Sequence, residues 1–144
     1  MVFFWIIKIK IKTNKNIQKA VRVFIDQNLN ELDSKLIENV KIATNEVIQN
    51  IYRYGYMNED GRPIEIHLIV KNEVLVLDIY DQADPCNPED FINKEYTPSE
   101  NGQMGIAIIK KLTKSFKIIP MNHGNHTQLN FDFPKQFASK NFLY

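Results

Sequence analysis

Two apolar runs that lie close together constrain the fold of this 144-residue chain most strongly. Residues 64–70 and 73–80 are rich in Ile, Val and Leu, a composition typical of buried β-strands, and only Lys71 and Asn72 separate them. A connection this short joins antiparallel strands, and Asn tolerates the positive φ that tight hairpin turns require. The sequence therefore predicts a β-hairpin over residues 64–80.

The segments around this hairpin show strand and helix patterns in turn. Residues 8–12 alternate Lys with Ile, and the lysines discourage pairing on a free edge, so we expect residues 3–12 to form an edge strand. The remaining patterns predict helices over residues 16–28, 34–53 and 104–114, and strands over residues 116–120 and 126–133. This order predicts an α+β fold, a two-layer sandwich with helices packed on one face of a mixed, mainly antiparallel sheet.

The same pattern indicates where the first two helices begin and which side of them is buried. Asn14 or Asn16 is a candidate N-cap for the first helix, and Asp33 or Ser34 for the second. The second helix is expected to bury an apolar stripe made of Leu36, Ile37, Val40, Ile42, Ala43, Val47, Ile48 and Ile51.

Length and composition limit the class of protein. A chain of this length forms one ordinary domain, so we assign residues 1–144 to a single domain. The formal net charge is +1, which gives no broad basic surface, so nucleic acid is not an expected partner. The single Cys86 excludes an internal disulfide and suits a reducing compartment, so we expect a cytoplasmic location. The apolar residues 1–7 are too short to span a membrane, and no membrane partner is expected.

A carboxylate and a carboxamide stand one turn apart on the predicted second helix. Glu46 and Asn50 occupy positions i and i+4, which lie on the same helix face. Glu46 can act as a base, and the Asn50 amide oxygen can bind a hard cation. The alternative is that the pair lies on an ordinary solvated helix face.

Two further segments place a carboxylate and two glycines next to predicted elements. Asp81 ends the second hairpin strand and is followed by the turn-rich residues 82–88. Gly102 and Gly105 lie where the helix of residues 104–114 begins, and such a loop offers free backbone N–H groups to phosphate. The alternatives are an Asp that caps a turn and glycines that shape a helix entry.

In their order and spacing these segments resemble the GHKL ATPase superfamily, and most closely the anti-sigma-factor serine kinases. The N box of that family reads Glu-Ala-Val-x-Asn-Ala-x-x-His-x-Tyr, which residues 46–56 resemble, and its first glycine box reads Asp-x-Gly-x-Pro-Phe-Asp-Pro, which residues 81–88 resemble. A Gly-x-x-Gly-Ile stretch at Gly102 and Gly105 and a final strand with Gly124 and Thr127 complete the pattern. The resemblance covers most of the chain.

This resemblance implies the histidine-kinase-like (Bergerat) ATPase fold with ATP and Mg²⁺ as ligands. It implies that Asn50 binds the Mg²⁺ and that Glu46 is the general base. Residues 87–100 would form the ATP lid.

The resemblance also implies contacts with the nucleotide. Asp81 accepts a hydrogen bond from the adenine amino group, Ala83 lies beside the adenine, and Thr127 offers its hydroxyl to the same pocket. Gly102 and Gly105 let the backbone pass close to the phosphates.

Three residues depart from the family pattern, since Tyr54 replaces a His, Ala83 a Gly and Cys86 a Phe. If residue 83 needs a positive φ, its Cβ costs about 1 kcal/mol. If it does not, the Cβ only narrows the approach of the nucleotide.

The function implied by the resemblance is that of an anti-sigma-type serine/threonine-protein kinase. Its partners would be a sigma factor or analogous regulator and an anti-anti-sigma-type antagonist protein, whose Ser or Thr it phosphorylates, and the family often acts as homodimers. The alternative is a catalytically inactive module that sequesters a partner, in which Ala83 and Tyr54 mark a decayed pocket. A third hypothesis, the catalytic domain of a two-component histidine kinase, is disfavoured because no upstream dimerisation helix is evident.

Overall fold

The computed structural model describes residues 4–87 and 103–132. A π-helical turn, Ile51–Gly55, continues the second helix. The elements are, in chain order, β1 (Phe4–Lys12), α1 (Ile17–Leu29), α2 (Ser34–Asn50), β2 (Pro63–Lys71), β3 (Val74–Asp81), α3 (Gln103–Leu112), β4 (Ser115–Met121) and β5 (Gly124–Asp132). The elements predicted from the sequence are therefore present, with shifted ends, and the predicted helix over residues 34–53 is α-helical only to Asn50.

The strands form one sheet in the order β1-β2-β3-β5-β4. Every neighbouring pair in the described residues is antiparallel, so the parallel component of the predicted mixed sheet is not found there. The prediction of β1 as an edge strand is confirmed. The hairpin turn lies one residue later than predicted, at Asn72 and Glu73, and Asn72 has the expected positive φ of 54°.

The helices cover one face of this sheet, which makes the predicted two-layer α+β sandwich. Alternate side chains of β2 and β3 point into the core, and α2 packs between α1 and α3 above them. Side chains that are almost completely buried between the two layers include Ile25, Val40, Ile48, Ile66, Leu68, Leu77, Ile79 and Ile109.

Two local predictions about the helices have different outcomes. Asp33 caps α2, since its Oδ2 accepts a hydrogen bond from the Leu36 N–H at 3.2 Å. Asn16 occupies the predicted N-cap position of α1, but its side chain makes no capping hydrogen bond, and its N–H donates to the Asn14 Oδ1 at 2.7 Å.

The prediction that Ile42 belongs to the buried stripe of α2 is wrong. Ile42 is 37% exposed, whereas Val40 is fully buried. Ile42 follows Val40 by two positions, which places their side chains about 200° apart around the helix axis. Apolar character alone therefore did not decide which side of α2 faces the sheet.

Candidate functional site

Glu46 and Asn50 lie near the C-terminal end of α2, where α3 packs against it. Both side chains are partly buried. A Cβ built on Gly105, in the first turn of α3, would lie 2.5 Å from Glu46 Oε2 and 3.9 Å from Asn50 Nδ2. The structure thus brings together the three predicted residues Glu46, Asn50 and Gly105. Gly102 lies outside the described residues.

Asp81 ends β3 with only 4% of its surface exposed. Its Oδ1 accepts hydrogen bonds from the Ala83 N–H at 2.9 Å and from Asn125 Nδ2 at 3.2 Å. Burial raises the pKa of this carboxyl, and the hydrogen bonds from Ala83 and Asn125 oppose that rise because they favour the charged form. Asp81 is therefore a buried acceptor, and its hydrogen bond from the Ala83 N–H, two residues later, also caps the turn after β3.

The loop after β3 is fastened by side chains from two sides. The Tyr56 hydroxyl accepts from the Gln82 N–H at 2.7 Å and donates to the Pro63 carbonyl oxygen at 2.6 Å. From the other side Asn125 Nδ2 donates to the Asp84 carbonyl oxygen at 3.1 Å, and Asn125 Oδ1 accepts from the Cys86 N–H at 2.9 Å. Neither of these roles of Tyr56 and Asn125 was predicted from the sequence.

Ala83 is buried in this loop without backbone strain. Its φ is not positive, since the non-glycine residues with positive φ in the described parts of the chain are Met57, Asn58 and Asn72. The Ala83 Cβ therefore causes no backbone strain, and its only expected effect is to narrow the approach of the nucleotide. A Cβ built on Gly55 would lie 3.0 Å from the Ala83 Cβ, so the π turn after α2 packs closely on this loop. This contact links the helix that carries Asn50 to the loop that follows Asp81.

Gly124 and Thr127 place β5 against the same end of β3. Asn125 is the register partner of Asp81, and Thr127, which is buried, is the partner of Ile79. Gly124 has a φ of +112°, and a Cβ there would collide with the Asp81 carbonyl oxygen. Only glycine fits this backbone at so close an approach.

The chemistry of these side chains fits a magnesium nucleotide. The Asn50 amide oxygen is a hard ligand suited to Mg²⁺, and Glu46 on the same face can accept a proton. Asp81 can accept a hydrogen bond from an amino group in a site from which most water is excluded.

Other potential sites are not supported in the described residues. No group of three or more His, Cys, Asp and Glu side chains there is arranged to hold a metal ion. His126 places its Nε2 2.5 Å from Asp78 Oδ1 and stacks on Tyr80, on the sheet face without helices. No helix within residues 4–87 and 103–132 is long and apolar enough to cross a membrane.

Comparisons with solved structures show the same fold at low sequence identity. The RsbU and RsbW domains of Rv1364c from Mycobacterium tuberculosis give a TM-score of 0.66 at 17% identity, over 88% of this chain and 31% of that chain. The catalytic domain of histidine kinase ThkA gives 0.58 at 12% identity, over 90% of this chain and 99% of that chain. The mycobacterial sensor histidine kinase MprB gives 0.53 at 11% identity, over 88% and 97%. This chain thus spans under a third of the first of these structures.

No curated protein sequence matched this chain. The family of histidine kinase-like ATPase domains, in contrast, matches residues 12–131, which include α2, the loop after β3 and most of β5. Because that match covers most of the chain, this protein belongs to the histidine kinase-like ATPase domain family and is a GHKL ATPase.

Proposed function

We propose that this protein is a Mg·ATP-dependent serine/threonine-protein kinase of the anti-sigma type. It phosphorylates a Ser or Thr of an antagonist protein and otherwise binds a sigma factor or analogous regulator. The observation that carries the proposal is the packing of Gly105 against Glu46 and Asn50, on a helix whose π turn contacts the loop that follows the buried carboxylate Asp81. The fold similarity to a structure containing an RsbW domain supports this choice of kinase class. A cytoplasmic location and a homodimer are part of the proposal.

In this proposal the two sides of the site hold opposite ends of the nucleotide. Bound Mg·ATP supplies the phosphoryl group and a cation that neutralises its charge. Asp81 orients the base by accepting from its amino group, with Ala83 and Thr127 beside it. Asn50 binds the Mg²⁺ through its amide oxygen, and Gly102 and Gly105 leave room for the phosphates.

Glu46 holds the proton that leaves the substrate hydroxyl. Its Oε2 lies so close to Gly105 that a side chain at position 105 would displace it. The missing Cβ therefore leaves room for the Glu46 carboxylate on the helix face that it shares with Asn50, and from there the base has to come within hydrogen-bond reach of the substrate hydroxyl.

Nucleotide binding is tested first, by calorimetric titration with ATP and ADP, with and without Mg²⁺. We expect Mg²⁺-dependent ATP binding. The affinity should fall by more than about tenfold in Asn50→Ala, because the substitution removes an oxygen that binds the cation directly. The matched control is Asn39→Ala, on the same helix and also partly buried, which should bind as the unmodified protein does. An absence of binding at millimolar nucleotide would contradict the proposal.

Phosphoryl transfer is tested with Glu46→Gln, which keeps the size of the side chain and removes the base. We expect this variant to bind ATP normally and to transfer phosphate at least about a hundredfold more slowly. The control Glu38→Gln changes an exposed glutamate of α2 and should keep full activity. The substrates are proteins captured on the immobilised protein, and acid-stable phosphate on them assigns Ser or Thr rather than His. If the Glu46→Gln variant binds and inhibits its partner as the unmodified protein does, and neither transfers phosphate, the kinase hypothesis is replaced by that of a catalytically inactive module that sequesters a partner.

A further inference from the structure

Asn125 holds three different parts of the loop after β3. Its Nδ2 donates to Asp81 Oδ1 at 3.2 Å and to the Asp84 carbonyl oxygen at 3.1 Å, and its Oδ1 accepts from the Cys86 N–H at 2.9 Å. The side chain thus uses both of its donor hydrogens and its acceptor within one loop. Asn125 is 6% exposed, so these hydrogen bonds are shielded from competing water.

The start of β5 is shaped to bring this amide to the loop. Asn125 lies opposite Asp81 in the register of the sheet, and both side chains point to the helix-covered face. The preceding Gly124 has no Cβ that would keep β5 away from the Asp81 carbonyl oxygen. The position thus has the orientation and the clearance to reach residues 81–86.

The hydrogen bond to Asp81 has an electrostatic consequence. Burial disfavours the charged carboxylate, whereas a donated hydrogen bond favours it, and Asn125 supplies donors from both its side chain and its backbone. Tyr56 and Arg62 approach the same loop from the other side through Gln82. Burial raises the pKa of the Tyr56 hydroxyl, so it stays neutral. The charged form of Asp81 offers only acceptors to the amino group of a base, whereas the protonated form would also present an O–H donor to it.

We propose that Asn125 is a positioning residue for nucleotide binding, which aims the Asp81 carboxylate at the base and fixes residues 82–86 beside it. The inference rests on the proposed ATP site, and it assigns this role to a residue that acts through Asp81.

The first test compares Asn125→Ala with the control Asn130→Ala. Asn130 lies on the same strand but hydrogen-bonds to Ser115 on the helix-free face. Calorimetric titration should show ATP affinity about tenfold lower or more in Asn125→Ala, since a hydrogen bond to a charged group is lost, and unchanged affinity in Asn130→Ala. NMR titration of the Asp81 carboxyl without nucleotide should show a higher pKa in Asn125→Ala only.

The second test uses Asn125→Asp, which keeps an acceptor for the Cys86 N–H but loses the donor to Asp81. Two neighbouring carboxyls then share one proton, and the protonated Asp donates to Asp81 as the amide did. We expect ATP affinity, relative to the unmodified protein at the same pH, to improve as the pH falls from about 8 to about 5. A residue that only stabilises the loop would show no such recovery.

The outcomes separate the two proposals. If the unmodified protein binds ATP and both Asn125 variants bind it equally well at every pH, the role of Asn125 is overturned while the ATP site stands. If the unmodified protein binds no ATP, the proposed function fails and this inference fails with it. If Asn125→Ala does not fold, Asn125→Asp alone decides, because its acid recovery either appears or does not.

Discussion

Asp81 is more deeply buried than Asp78, the other buried acid of β3, and it receives hydrogen bonds from Ala83 and Asn125. Burial raises its pKa above the ordinary value of 3.8, so the folded chain binds this proton more tightly than the unfolded chain does. The stability that this proton contributes is complete below pH 3.8 and is lost as the pH rises through the folded-state pKa. At the scale of the residue, the negative charge that Asp81 needs to bind the base therefore lowers the stability of the folded protein.

Asp81→Asn should change stability and ATP affinity in opposite directions near neutral pH, since it removes the charge and keeps the shape of the side chain. Its stability relative to the unmodified protein should improve as the pH rises from below 3.8 toward neutral, while its ATP affinity falls by about tenfold or more. Urea unfolding at a series of pH values and calorimetry measure the two effects. Asp84→Asn, in the exposed part of the same loop, should change neither.

Gly124→Ala tests the close approach of β5 to Asp81. Its Cβ would meet the Asp81 carbonyl oxygen at a φ of +112°, so we expect a loss of about 3 kcal/mol or more in the free energy of unfolding. Gly61→Ala is the control, because Gly61 also has a positive φ, +81°, but open space around it. It should lose only about 1 kcal/mol. Equal losses in urea unfolding would show that the collision is relieved without cost.

At the scale of the element, the site depends on how α2 and α3 pack. Gly105 lies in the first turn of α3, where a Cβ would meet the carboxylate of Glu46. The π turn after α2 makes a second close approach, since a Cβ on Gly55 would lie only 3.0 Å from the Ala83 Cβ. The Tyr56 N–H donates to the Ile51 carbonyl oxygen across this turn at 2.8 Å. At Gly105 and at Gly55, the missing side chain lets the backbone approach a neighbouring segment closely.

Gly105→Ala should therefore separate stability from activity. Alanine favours the helix by about 0.5–1 kcal/mol over glycine, and the end of the Glu46 side chain can move aside, so stability should change by less than about 1 kcal/mol. Phosphoryl transfer should still fall, because the base is displaced. Ala107→Gly, at an exposed position of α3, should show the opposite, with lower stability and full activity. Thermal unfolding and the transfer assay distinguish the two patterns.

At the scale of the whole molecule, the sheet sets the distance between the parts of the site. β3 is the central strand and pairs with β2 and β5, so Asp81 at its end meets the start of β5 and the loop fastened by Tyr56. β1 and β4 are the edges of the described sheet, and β4 pairs with the other side of β5, where Pro120 is the register partner of Asn125. Asp81 and the loop that follows it are thus attached to the central strand of the sheet.

Amide hydrogen exchange should follow this arrangement. The amides of β3 should exchange most slowly, because the two strands that bind its backbone, β2 and β5, are themselves paired on their other sides, and the core side chains of β3 are fully buried. In the edge strand β1, every second amide points away from β2 and should exchange much faster than its neighbours. Uniform protection along β1 would instead indicate that another strand covers this edge.

Several features of the site could be predicted because they depend on neighbours in the sequence. The i, i+4 spacing placed Glu46 and Asn50 on one helix face, and the end of an apolar run located Asp81. Asn125 and Tyr56 could not be found in this way, because their partners lie 39 to 44 residues away for Asn125 and 26 for the Tyr56–Gln82 contact. Such contacts exist only once strand order and register are known.

The sequence by itself determined the elements, the hairpin, the α+β class and an α2 cap at Asp33 or Ser34, since each follows from short-range periodicity, turn chemistry or local hydrogen bonding. Only the tertiary structure decided that Ile42 faces outward, that Ala83 is unstrained, that Gly105 makes room for Glu46 and that Asn125 holds the Asp81 loop. The physical reason is that burial, steric clearance and register arise between segments distant in the chain, and the local pattern of any one segment does not contain them.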